Sequence, residues 1–205
     1  MKAIKMKKSI LLCCALLLTM TSFSQALTFK NSISTAKTSY ASGKLEDAHF
    51  ALQQSMQEID VIIGKEVLKL LPQKMDALPV VTSEDNVTGN IGFIGATIHR
   101  GYGAPPKKAQ VEIISNSPLL GTLNAFLTSP LLSGLGGDGK TKVLKIQGYK
   151  SRLTKEDGDP ATINYRLEIP FNNALVTLNV ANSNENEVIA MANTIPLDQI
   201  AKLIQ

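Results

Sequence analysis

TINYRLEI (162–169) and ALVTLNVA (174–181), four residues apart, decide the fold class of this chain. In the second segment Leu175, Thr177 and Asn179 alternate with Val176, Leu178 and Val180, so one face is apolar throughout. A period of two is the mark of a strand with one face on a core. Upstream, 142–147 and 149–154 read as one or two further strands around Gly148. Glu156-Asp157-Gly158-Asp159-Pro160 has hairpin-turn chemistry, with Asp157-Gly158 its strongest element. Residues 91–102 are β-rich but carry Gly92, Gly95 and Gly101, and Gly103-Ala104-Pro105-Pro106 turns the chain into 109–115. Residues 80–89 read as a polar connector. Helices intervene at three places. Ser117 and Pro118 open one through Leu120, Leu123 and Phe126. Asn184 with Glu187 makes a capping-box-like start to 185–193, and Pro196 opens a last short helix through Ile200 and Leu203. Strands joined by tight turns, with helices between them, predict an antiparallel α+β part over 80–205.

Two helices are expected before it, as a hairpin over 27–72. Phe29, Ile33, Ala36 and Tyr40 fall on one helical stripe, and Ser42-Gly43-Lys44 breaks it. Leu45, Ala48, Leu52, Met56, Ile59, Ile63, Val67 and Leu70 then recur at spacings of three and four up to Pro72. That is a helix of about 27 residues, long for a globular protein. Its large apolar residues are expected to be its buried face, with Ile59 and Ile63 at the centre. The predicted fold is α+β: an N-terminal helical hairpin packed on a mostly antiparallel sheet, with additional helices.

The first 24 residues read as an address. Lys2, Lys5, Lys7 and Lys8 precede the apolar run 10–18, and small and polar residues follow. This is the anatomy of a secretory signal peptide, with an apolar core about half of what a membrane-spanning helix needs. Cleavage is expected after Ser24, leaving Gln25 first; Ala26 is the other small-residue position. Cys13 and Cys14 suggest a lipoprotein leader, but Leu12 precedes Cys13 and the apolar run continues past both. Both cysteines lie in the leader, so a mature chain has neither a disulfide nor a thiolate nucleophile. The full chain carries 21 Lys+Arg against 17 Asp+Glu, and removing four leader lysines leaves 17 of each. A neutral chain without a basic stripe interleaved with aromatics does not predict nucleic-acid binding.

Gly134 to Thr141 match the phosphate-loop pattern, with Lys140 and Thr141 in the functional positions. A true phosphate loop leaves a buried strand and enters a helix whose N-terminus completes the anion site. Here a helix precedes and the strand-like KVLKI follows, so no nucleotide is expected. His49 and His99 lie outside metal-ligand patterns, and no G-x-S-x-G elbow occurs. Glu156, Asp157 and Asp159 lack calcium-loop spacing and read as a solvated turn. No catalytic, cofactor-binding or metal-binding residue is assigned.

Tyr40 to Ala48, with Leu52 and Ser55, resembles one tetratricopeptide repeat, with Tyr before the turn, Gly in it and Ala48 where helices touch. One repeat cannot make a solenoid, which needs about three. More broadly, YASGKLEDAHFALQQ (40–54), GKEVLKLLP (64–72), ISNSPLL (114–120) and IPLDQIAKL (195–203) resemble a group of exported bacterial proteins of Bacteroidetes type. The resemblance implies a shared fold and carries no established activity. The functional expectation is an exported, periplasmic or secreted, non-enzymatic module that binds a protein or a cell-envelope component. The alternative is an envelope-polymer hydrolase with dispersed carboxylates, since two-carboxylate chemistry needs no local motif.

Overall fold

The computed structural model describes residues 28–89, 95–129, 139–156 and 163–204. Eight strands form one antiparallel sheet in the order β1-β2-β3-β4-β8-β7-β6-β5. They are β1 (Lys74–Met75), β2 (Leu78–Gly89), β3 (Ala96–Ala104), β4 (Lys107–Ser115), β5 (Thr141–Ile146), β6 (Tyr149–Glu156), β7 (Asn164–Phe171) and β8 (Ala174–Val180). The order is two four-stranded meanders joined through their last strands, Val111 pairing with Leu178 and Ile113 with Val176. The turns follow their chemistry. Gln147 and Gly148 both have positive φ between β5 and β6, and Asn172 has positive φ between β7 and β8. Pro105 and Pro106, joined by a cis bond, turn β3 into β4.

Among the described residues, three helices accompany the sheet after its first strands: α3 (Leu120–Thr128), α4 (Glu185–Ala192) and α5 (Leu197–Leu203). The Asn184 side chain accepts from the Glu187 N–H at 3.1 Å, the cap expected from the sequence. Strand alternation sorts the two faces. Ile98, Tyr102, Val111, Ile113, Val176, Leu178, Leu167 and Ile169 are buried in the main core with Val188 and Met191 of α4 and Leu197 and Ile200 of α5. Leu175 points the other way and packs with Leu123 and Leu127 of α3.

The chain divides into two units between Ile59 and Asp60, inside the long helix α2 (Leu45–Leu70). In the second unit the end of α2 lies on β2 and β3. A Cβ on Gly64 would sit 2.6 Å from Val87 Cγ1 and 3.2 Å from Ile98 Cγ1, so glycine permits the approach. Val67 and Leu71 enter the core beside it. In the first unit, residues 28–41 are helical (α1), and Gly43 turns the chain with φ +74°. The Ser32 hydroxyl of α1 donates to Glu58 Oε1 of α2 at 3.3 Å, which fixes an antiparallel hairpin. Small residues are buried in this hairpin: Ser32, Ala36, Ala48, Ala51 and Ser55.

Two expectations are corrected. Residues 80–89 are not a connector but most of β2. Its pairing to β3 shifts between Val81 and Asn86, so that bulge broke the period of two that would have revealed a strand. The first half of the stripe of large residues along α2 is not a buried face, whereas in its second half Val67 is buried and Ile63 and Leu70 pack against the core. Leu45, Leu52, Met56 and Ile59 are all exposed, and Ile63 only borders the core. Two sectors are buried: Ala48, Ala51 and Ser55 in the first half, then Gly64 and Val67 with Leu71 just beyond the end.

Candidate functional site: a polar sheet face and an apolar helical face

The side of the sheet that carries α3 is polar where α3 leaves it open. Register places His99, Glu112, Thr177, Glu168 and Arg152 in one row across β3, β4, β8, β7 and β6. Gln110, Asn179, Arg166 and Thr154 form the next. Arg152 binds Glu168 at 2.6 Å, and its guanidinium lies 5.3 Å from the Phe126 ring centre on α3. Glu84 meets Lys108 at 2.9 Å and Glu156 meets Arg166 at 2.8 Å. Between these pairs is a cleft of about 160 Å³ lined by Lys108, Gln110, Glu156, Asn164, Tyr165 and Asn179.

A two-carboxylate hydrolase needs one carboxyl held protonated, which takes burial away from cations. Glu84, Glu156 and Glu168 each have the opposite surroundings, a cation within hydrogen-bond reach. Among the described residues, the carboxyl that burial does push upward is Asp60. It lines a separate cavity of about 50 Å³ with Ser115, Asn116 and Asn173. There Ser115 Oγ accepts from the Ala96 N–H at 2.8 Å, and Asn173 Nδ2 donates to Asn116 Oδ1 at 2.9 Å. Such a space holds one or two waters and no sugar ring.

The residues weighed in the sequence fall as follows. His49 is exposed on α2, and His99 sits in β3 opposite Asn86 and Glu112. Among the described residues no three His, Cys, Asp or Glu side chains cluster as metal ligands. Thr141 opens β5, so the phosphate-loop match ends in a strand; most of that loop lies outside the described residues. The same holds for Asp157 and Asp159, while Glu156 is bound to Arg166. The leader also lies outside the described residues, and among those residues no helix is long and apolar enough to cross a membrane.

The hairpin presents a different kind of surface. Leu45 is 64% exposed, Leu52 50%, Met56 67% and Ile59 42%, and on α1 Tyr40 is 72% and Ile33 41% exposed. Counting about 100° per residue from the buried small residues, both exposed stripes lie on the same rotational side of their helices. In an antiparallel pair that puts them on one face of the hairpin. The sequence reading assigned these residues to the core and so missed the face. The available signal was Ala48, Ala51 and Ser55, small residues at spacings of three and four that mark where two helices approach closely.

No protein-family model matches the chain. No curated protein matches it. Among solved structures, the extracellular domain of PknH from Mycobacterium tuberculosis is similar at 15% identity and a TM-score of 0.36. The match covers 54% of this chain and 66% of that one, just under two thirds of its length. A likeness this loose carries no argument about function.

Proposed function

We propose that the chain is an exported, periplasmic or secreted, non-enzymatic interaction protein whose binding face is the apolar side of its helical hairpin. The observation that carries this reading is the continuous exposure of Ile33, Tyr40, Leu45, Leu52, Met56 and Ile59. Exposed apolar patches of this kind mark protein interaction sites. The charged leader motivates export, and the ion-paired carboxylates of the sheet face weigh against envelope-polymer hydrolysis. The test is affinity capture from solubilised cell envelope with the natively processed protein and its Leu52→Glu/Met56→Glu variant as baits. A protein retained by the wild type and lost with the variant is the expected result. Equal capture by both, with both folded by circular dichroism, would refute the assignment of the face.

A further inference from the structure

We infer that the apolar hairpin face is covered by a second copy of this chain, in a two-fold dimer that sets α1 of one protomer against α2 of its partner. The inference rests on the interaction reading above and names the partner. Two observations carry it, area and charge.

The six exposed side chains leave on the order of 700 Å² in water. The largest patch on a typical monomer is roughly 300–600 Å², and a standard interface takes about 800 Å² from each partner. The face is therefore large for a monomer and of the right size for one side of a stable pair. Its make-up is also right: Tyr40 and Met56 are among the residue types enriched at interface centres.

Charge chooses the partner. Residues 28–44 carry Lys30, Lys37 and Lys44 and no acid. Residues 45–59 carry Glu46, Asp47 and Glu58 and no lysine or arginine. Of the lysines, arginines and acids in the hairpin unit, its first helix carries only lysines and its second, as far as Ile59, only acids, so the surface complements a copy of itself; Lys65 and Lys69 of α2 lie beyond that unit. A two-fold axis running along the helices, between two apposed hairpin faces, puts α1 over the partner's α2. Every neighbouring helix is then antiparallel, as in an up-down four-helix bundle. An axis across the helices would set lysine against lysine, and like charges facing each other oppose association. Lys37 and Glu46 favour one register of the pair, because both lie near the turn end of the hairpin, while Glu58 is held inside the hairpin by Ser32 at 3.3 Å.

The test is sedimentation equilibrium of the natively processed full chain between 1 and 100 μM, on the order of the concentrations where a standard interface associates. A dimer mass is expected. The Leu52→Glu/Met56→Glu variant, altered at exposed positions only, should stay folded by circular dichroism and dissociate at least about 30-fold more readily, the range of interface hot spots. Lys30→Glu/Lys37→Glu should also run as a monomer, and mixing it with Glu46→Lys/Asp47→Lys should restore a mixed dimer. A wild-type dimer unaffected by the Leu52/Met56 changes would overturn the placement. A mixture that stays monomeric would overturn the α1-on-α2 arrangement. A monomeric wild type at 100 μM overturns self-association, and envelope capture then separates the two ideas: selective loss in the Leu52/Met56 variant keeps the interaction reading, and unchanged capture removes it as well.

Discussion

Replacing Asp85 by Ala should cost about 3–5 kcal/mol, a large part of the 5–15 kcal/mol that holds a domain together. Arg100 of β3 is 5% exposed. Its Nε donates to Asp85 Oδ1 at 2.9 Å and its Nη2 to Asp85 Oδ2 at 2.7 Å, while Nη1 donates to the Leu71 carbonyl at 3.0 Å. The fork therefore ties the bulged β2, the neighbouring β3 and the end of α2 in one place. The Asp85 hydrogen bond, assisted by its charge, raises the Arg100 pKa against the lowering effect of burial. Without Asp85 a guanidinium that cannot shed its proton stays buried with only the Leu71 carbonyl and the Tyr102 hydroxyl for partners. Arg100→Met is milder, about 2–3 kcal/mol, because it leaves Asp85, whose side chain is 18% exposed and can be hydrated, and strips one hydrogen bond from Leu71. The double variant should lie close to Arg100→Met alone, giving a coupling energy of at least about 1.5 kcal/mol. The chain has no tryptophan, so urea unfolding is followed by far-ultraviolet circular dichroism. With an m-value of about 1–3 kcal/mol/M, the Asp85→Ala midpoint should fall by more than about 1 M. A loss below 1 kcal/mol, or strict additivity in the double variant, would refute the account of this pair.

Gly64→Ala gains about 1 kcal/mol of helix propensity but drives a methyl group to 2.6 Å from Val87 Cγ1, so a net loss of about 1–3 kcal/mol is expected in the same assay. Ile59→Asp should be tolerated within about 1 kcal/mol because Ile59 is 42% exposed, whereas Val67→Asp, at a fully buried position, should yield insoluble or unfolded protein; equal melting of the two would contradict the two-sector burial of α2. Burial pushes the Tyr102 phenol from 10.0 up to about 12, so the folded state holds its proton longer than the unfolded one. The resulting stability is whole below pH 10 and lost as pH rises through 12, about 2–3 kcal/mol in all. Tyr102→Phe loses the hydrogen bond to the Pro72 carbonyl at 2.9 Å, about 1–2 kcal/mol at neutral pH, and should show a flatter alkaline limb; an unchanged limb would argue against burial as its cause. His49→Gln and His99→Gln should leave the melting temperature and envelope capture unchanged, and loss of capture in a folded variant would reopen an enzymatic reading.

The residues differ in how legibly they announce their surroundings. Strands β7 and β8 were readable because each meets a core on one face and less apolar ground on the other, so burial prints a period of two onto the sequence. β2 was not, because four residues of its bulge stand against Arg100 alone and carry Glu84 and Asp85 to two different partners, Lys108 and Arg100. Polarity there reflects ion pairing between strands, which looks the same in sequence as solvation in a loop.

The apolar hairpin face was misread for a related reason. A helix whose first half is buried through small residues can carry its large ones beside them, where the close approach does not reach. Periodicity reports that a helix has an apolar face and stays silent on what meets it, since a core and an unsatisfied interface make the same demand on side chains. What separates them here is size: Ala48, Ala51 and Ser55 are small because α1 comes close, while Leu52, Met56 and Ile59 are large and exposed among the described residues. Small residues beside a stripe of large ones on the same helix thus distinguish the packed face from the free one. Reversing that pattern with Ala51→Leu should disrupt the hairpin, while Leu52→Ala should leave it folded and weaken only association. If Ala51→Leu melts like the wild type, close approach is not what keeps this position small, and the free face loses its physical basis.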